Sequence, residues 1–244
     1  AVAIALFVVI GAAVAWLGST GLERDIPWAS IRAALQLVLL ALAIGYVADR
    51  PWLIALFVAL MSTTASWAAA RRVATRGGPW AAERAATVRD ALWCALPVAV
   101  PPVVVVLALL AAGVVHPNGL SVIPVAGIYL GNAMAIVGLA GRRAHDELET
   151  RHGEVEAALS LGFTDHPARM MVLREAAATA LGPSLDQTRT IGLVTIPGAF
   201  VGMVLGGAQP WEAAVMQLFV STGILACGAI ALVVTTQLVA AGRL

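Results

Sequence analysis

The chain has 244 residues, of which 60% are hydrophobic and 12% charged, with a formal net charge of +1. Soluble domains carry about a quarter charged residues, so this composition excludes a soluble globular protein and describes an integral membrane one. A near-neutral balance also excludes a nucleic-acid partner, and the basic residues read instead as topology signals.

All fifteen basic residues are Arg; there is no Lys. A Walker A phosphate loop needs its Lys on the nucleotide phosphates, and a retinal pigment needs a Schiff-base Lys, so neither is encoded here. No cofactor is expected in this chain. Cys94 and Cys227 fall inside apolar stretches, where a thiol packs as a small apolar group.

In chain order, apolar stretches at about 1–18, 27–48, 51–70, 91–115, 121–141, 188–207 and 211–241 each approach the ~20 residues that cross a hydrocarbon core of ~30 Å. The expected fold is all-α: one polytopic transmembrane domain, 1–244, of about seven spans. Five Arg lie between Arg71 and Asp90, six lie between Arg142 and Arg189, and Arg243 is in the tail. The turns at His116–Gly119 and Gly206–Pro210 carry none. The positive-inside rule then places the Arg-rich connections and the carboxyl end in the cytoplasm and the amino end outside.

Polar groups inside the stretches are candidates for a permeation path or for packing hydrogen bonds. Arg32 and Gln36 share one helix face. Asn132 and Gln217 sit far from water and should face the bundle interior. Ser62, Thr63, Thr64 and Ser66 are expected to bond back to their own helix. Gly127 with Gly131, and Gly198, Gly202 and Gly206 in series, are small-xxx-small steps suited to close helix packing. Pro197 is expected to kink the sixth span. His116, His145, His152 and His166 all fall in connections and read as surface histidines, and no metal site can be assigned from their spacing. The spans hold no His for a protease dyad and no central carboxylate of the kind proton-coupled carriers use. This favours a pathway powered by a separate subunit over the alternative, a stand-alone secondary transporter or channel.

The stretch 142–189 holds close to half of the charged residues and is rich in strong helix formers. Gly162 with Pro167 should end one helix and start another, capped by Thr164, Asp165 or His166, and Gly182 with Pro183 should end the second. Val155, Leu159, Leu161, Met170, Met171 and Leu173 supply an apolar side. A water-exposed helical pair of this kind suits the docking of a soluble partner. Its bland counterpart is an amphipathic surface helix with no partner.

Glu156-Ala157-Ala158, three residues and then Gly162 resemble the loop by which ABC-transporter permeases engage their ATPases. Val172 matches the apolar position downstream, whereas Arg174-Glu175 stand where that motif closes with Leu-Pro. More specific is an ordered series: Ile31-Arg32 with Gln36-Leu37, Gly131-Asn132-Ala133-Met134, Glu154-Val155-Glu156 with Leu159 and Leu161-Gly162. It continues through Gly192 to Gly198 (GLVTIPG), Gly202, Gly206 and Pro210 to Gln217. This series resembles the FetB-type permease family of ABC iron exporters, related to the plant aluminium-tolerance permeases.

The resemblance implies a multi-pass plasma (inner) membrane permease that pairs with itself and with two copies of a cytoplasmic ATPase, and that exports its cargo. ATP and Mg would be bound on the ATPase alone. Glu154, Glu156, Ala157 and Gly162 would form the coupling surface. Arg32, Gln36, Asn132, Pro197, Gly198, Gly202 and Gln217 would line the translocation path or pack the helices around it. Where the family typically has Met-Met after Pro-Gly, this chain has Ala199-Phe200, and Met203 stands in place of a Gln.

Overall fold

The computed structural model describes residues 2–47, 50–74 and 86–244. Most of the Arg-rich connection expected between Arg71 and Asp90 lies outside them. The described residues form ten α-helices and no strand: α1 (Val2–Leu17), α2 (Asp25–Val47), α3 (Pro51–Ala74), α4 (Val88–Ala111), α5 (Gly119–Thr150), α6 (His152–Ser160), α7 (Asp165–Ala178), α8 (Gly182–Thr190), α9 (Gly198–Leu205) and α10 (Pro210–Ala240). A single 3-10 turn, Thr179–Leu181, joins α7 to α8. Five of the helices, α2, α3, α4, α5 and α10, are long and apolar enough to cross a membrane. The first expected span is matched by α1, apolar but only 16 residues long.

The chain divides into two units. One, Ala1–Pro51 with Asn118–Leu120, contains α1 packed on α2. Arg32 and Gln36 lie in this unit, and both are exposed. The other unit, Trp52–Pro117 and Ser121–Leu244, holds the remaining helices around a shared core. Ala69, Ala70 and Val73 of α3, Cys94 and Val98 of α4, Ala133 and Val137 of α5, and Ala231 of α10 form that core. Small residues dominate it because, with lipid as solvent, helices gain by close backbone approach rather than by burying large side chains. Both cysteines are buried and free, as expected for packing groups.

Within this unit α5 is the most enclosed of the spans, with 56% of its apolar window buried. Glycine permits that enclosure at particular points. A Cβ on Gly141 would lie 2.5 Å from Val73 Cγ2, and one on Gly223 of α10 would lie 2.5 Å from the Tyr129 hydroxyl. Both are closer than real contacts permit. Gly127 has only the flexible end of Met61 nearby, at 3.0 Å, and Gly131, Gly198 and Gly202 have nothing within 4 Å. The expected glycine packing along Gly198, Gly202 and Gly206 is therefore not made among the described residues, where those glycines are exposed.

The sixth expected span departs most from its sequence expectation. Residues 188–207 do not form one kinked helix: α8 stops at Thr190 and α9 starts at Gly198. Between them the Thr190 carbonyl accepts from the amides of Leu193, Val194 and Thr195, and the Gly192 amide donates to the Thr195 carbonyl. Gly192 takes a φ of 82°, in the region that favours glycine. Pro197 has no N–H to continue a helix and restricts the residue before it, so it ends up capping α9 rather than bending a continuous helix. At 1.5 Å per residue α8 and α9 are about 14 and 12 Å long, and neither crosses a ~30 Å core.

Two further expectations change. Gly182-Pro183 start α8 instead of ending a helix, since proline fits the first turn. The helix of the fifth apolar stretch does not end with that stretch at residue 141, because α5 continues without a break to Thr150. In α3, Ser62, Thr64 and Ser66 donate to carbonyls four residues back, and Thr63 to one three back, as expected.

The glycine geometry predicts opposite signs for two similar changes. Gly141→Ala should destabilise the detergent-solubilised protein by about 1–3 kcal/mol through overpacking against Val73. Gly131→Ala should be neutral or stabilise by up to ~1 kcal/mol, the helix-propensity gain. Thermal unfolding of the two variants beside the parent protein checks this.

Candidate functional site: an exposed elbow and a buried polar seam

The charged stretch begins inside α5. At its end Arg151 leaves the helical region (φ −109°, ψ 28°) and α6 starts anew at His152. Arg151 spans this joint with its side chain. Its Nε donates to Glu154 Oε1 at 2.7 Å, Nη2 donates to Glu154 Oε2 at 2.5 Å, and Nη1 reaches Glu147 Oε1 at 3.3 Å. The hydrogen bond from Arg151 holds the Glu154 carboxyl below the usual carboxylate range, and the bonds to Glu154 and then Glu147 raise the guanidinium in turn. Such an exposed ion pair adds little to stability. Its two-pronged geometry fixes direction, so the pair sets the angle at which α6 leaves α5.

After α6 the chain turns at Gly162, whose φ is 91°. Only glycine adopts this conformation cheaply, and it closes the helix with the Gly162 amide on the Leu159 carbonyl and the Phe163 amide on that of Ala158. Thr164 takes an extended conformation ahead of α7, without a side-chain cap bond. The expected helix–Gly–helix arrangement is thus present. Its apolar residues, however, do not all lie on one covered side. Ala158, Ala168, Val172, Leu173 and Ala177 face inward, Leu173 together with Ala144 of α5 and with Val239 and Ala240 of α10. Leu161 is 80% exposed, Met171 60%, Phe163 47% and Leu159 37%. Glu156, Ala157 and Gly162 are exposed beside them.

The segment is tied down at three places. Arg143 of α5 bonds the Thr179 hydroxyl, His166 Nε2 pairs with Gln237 Oε1 at 2.8 Å, and Asn132 Nδ2 donates to Ser184 Oγ at 3.1 Å. A crevice of about 840 Å³ runs under α6, lined by charges of both signs that include Arg89, Glu149, Glu156, Asp165 and Arg169. His145 lines it too and is not the surface residue expected. It is 8% exposed, with Nδ1 against the Gly141 carbonyl at 2.8 Å, because α5 stays helical past residue 141 and turns this side chain toward its neighbours.

Inside the bundle a second group of polar residues sits on α5 and α10. Asn132 and Gln217 are inside the bundle, as expected, and Gln217 Nε2 donates to Ser221 Oγ at 3.0 Å. Tyr129 joins them, fully buried against Gly223. Tyr129 was legible in the sequence: it is three residues before Asn132, and so on the same helix face. Ser184 was not, being 52 residues distant and surrounded by charged neighbours. Of the remaining expected path residues, Pro197, Gly198 and Gly202 are in the broken segment, and Arg32 and Gln36 belong to the other unit.

The elbow yields a titration test. Glu154 has its folded pKa lowered, so its stabilising contribution is complete above the ordinary carboxylate value and is lost as pH falls through the folded one. In Arg151→Gln the Glu154 carboxyl should titrate in the ordinary range, about 4.3. Carbon-13 carboxyl NMR on the two proteins measures it; an unchanged low value would remove Arg151 as the cause.

Comparison with known proteins places the chain. A probable iron export permease protein, FetB, of Escherichia coli is 28% identical over 235 residues, covering 96% of this chain and 86% of that protein. The UPF0014 membrane protein STAR2 of Oryza sativa is 29% identical over 241 residues, covering 97% and 80%. Protein ALUMINUM SENSITIVE 3 of Arabidopsis thaliana is 35% identical over 116 residues, 48% of this chain and 42% of that one. No solved structure matches. The model of the uncharacterised protein family UPF0014 matches residues 1–242, and this chain, an all-α membrane protein, belongs to that family.

Proposed function

We propose that the chain is the membrane-spanning permease subunit of an ABC transporter in the plasma (inner) membrane. It works as a homodimer with two copies of a separate cytoplasmic ATPase, exports a metal ion, with iron the first candidate, and carries out no catalysis itself. The α6–α7 elbow is cytoplasmic and is the surface the ATPase grips; ATP and Mg are held by the ATPase.

The observation that carries this reading is the exposure of Leu159, Leu161 and Phe163 at the tip of the most highly charged stretch of the chain. Full burial of a Leu or Phe side chain is worth about 1.5–3 kcal/mol over leaving it in water. Three such side chains around one glycine turn, with the exposed carboxylates Glu156 and Asp165 close by in the chain, form an apolar knob with a charged collar, the pattern of a protein-binding patch. The absence of Lys fits the same reading, because these residues hold no Walker A site and ATP would be bound elsewhere. The names of the relatives support transport, and that of the Escherichia coli protein supports iron and export.

The test is co-purification of the tagged chain with a Walker A ATPase, identified by mass spectrometry. Leu161→Glu and Gly162→Trp should each lower ATPase recovery at least about tenfold, which corresponds to ~1.4 kcal/mol. Thr63→Ala, whose hydroxyl bonds only its own helix, should leave it unchanged. Full recovery with both elbow variants, or transport by the purified chain in liposomes without any ATPase, would contradict the assignment.

A further inference from the structure

We propose that the seam between α5 and α10 is a path for a hydrated cation, held through its water molecules by the oxygens of Tyr129, Asn132 and Gln217. This deepens the permease reading and rests on it.

Three buried side-chain atoms in the described residues have no hydrogen-bond partner: Tyr129 Oη, Asn132 Oδ1 and Gln217 Oε1. Tyr129 is 0% exposed and Gln217 is 8% exposed. A buried polar atom left unpaired costs about 1–3 kcal/mol, and polar groups kept at such cost inside a membrane mark pathways. Tyr129 Oη and Asn132 Oδ1 lie where α5 meets α10, Gln217 Oε1 lies on α10, and all three are oxygens.

Each amide nitrogen already donates one hydrogen bond. Ser221 donates its only hydroxyl hydrogen to the Gln217 carbonyl at 2.8 Å, so its oxygen can only accept, and the Gln217 Nε2 fills that role at 3.0 Å. Oε1 is thereby turned away from Ser221. Asn132 Nδ2 donates one hydrogen to Ser184 Oγ. What the two amide oxygens leave open is acceptor capacity, which suits a ligand bringing positive charge or O–H groups.

The oxygens also lie in order. Tyr129 lies against Gly223, while Ile136 and Asn132 Oδ1 lie 2.6 and 3.6 Å from a Cβ position on Gly228, so α5 and α10 run in the same direction. Gln217 is three turns ahead of Gly228, on the same face of α10. A permeant moving along the seam meets Gln217, then Tyr129, then Asn132. Beyond Asn132 the contact passes to Ser184 at the start of the broken segment.

The chemistry of the donors selects the form of the cation. Apart from Glu212 in its first turn α10 has no acidic residue, and α5 has none before Asp146. Neutral oxygens do not compensate the desolvation of a bare multivalent ion. They do accept hydrogen bonds from its inner water shell, and weak, successive contacts allow release as well as entry.

The test is cysteine accessibility of the full chain in membranes, on a Cys94→Ala, Cys227→Ala background. Asn132→Cys and Gln217→Cys should react with a cationic methanethiosulfonate at least about tenfold faster than Leu218→Cys, an exposed apolar position on α10, and faster than with the anionic sulfonate reagent. Millimolar manganese(II) chloride should slow both reactions. Cysteines that react only with membrane-permeant N-ethylmaleimide would show a dry seam, and preference for the anionic reagent an anion path; either overturns the proposal. As an independent check, Tyr129→Phe should leave the melting temperature unchanged or raise it, since the hydroxyl it removes is unpaired. A fall of several degrees would mean that the hydroxyl has a partner, and would remove Tyr129 from the path. The labelling needs no ATPase, so a dry seam and a failed docking experiment are separate results.

Discussion

The continuity of α5 is the constraint on which the rest of the structure depends. At 1.5 Å per residue its 32 residues extend about 48 Å, well beyond the ~30 Å of hydrocarbon. One rigid rod therefore carries Tyr129 and Asn132 at membrane depth and Glu147, Asp146 and the Arg151 joint in water. Between Asn132 and Thr150 no loop interrupts the helix, and beyond it the Arg151 side chain bridges the joint to α6.

The broken segment supplies the complementary element. Ser184 opens α8 and is held by Asn132, while the 191–197 link and α9 follow, with Leu193, Val194 and Ile196 exposed. Non-helical backbone at membrane depth is tolerated where protein or a water-filled cavity covers it. In the proposed dimer that cover would come from the second copy, whose approach the open glycine positions at 198 and 202 permit. The segment leaves the water-exposed helices at the 3-10 turn, so the elbow is linked to it from both sides, through Arg143 on Thr179 and through α7.

Much of this was legible in the sequence. Composition sets the membrane class, and the charge density of 142–189 marks its water-exposed helices. Gly162 marks their turn because a left-handed residue is required there. Asn132 and Gln217 stand out as amides in apolar surroundings. What was not legible depends on tertiary contact or on competition between local rules. Pro197 predicts a kink by itself, yet together with Gly192 and the Thr190 carbonyl it ends the helix. His145 reads as exposed until α5 is seen to run past residue 141. Ser184 becomes informative only through its partner, and Glu154 reads as a free docking carboxylate until Arg151 is seen to hold it.

Coupling to a cytoplasmic ATPase requires the elbow to lie on the cytoplasmic side of the membrane. A single Glu156→Cys variant, in the cysteine-free background, can be exposed to a membrane-impermeant maleimide in intact cells and in inside-out vesicles. Modification confined to the inside-out vesicles is the predicted result, since only there is the cytoplasmic face open to the reagent. Modification in intact cells would place the elbow away from any source of ATP, and the coupling scheme would be wrong.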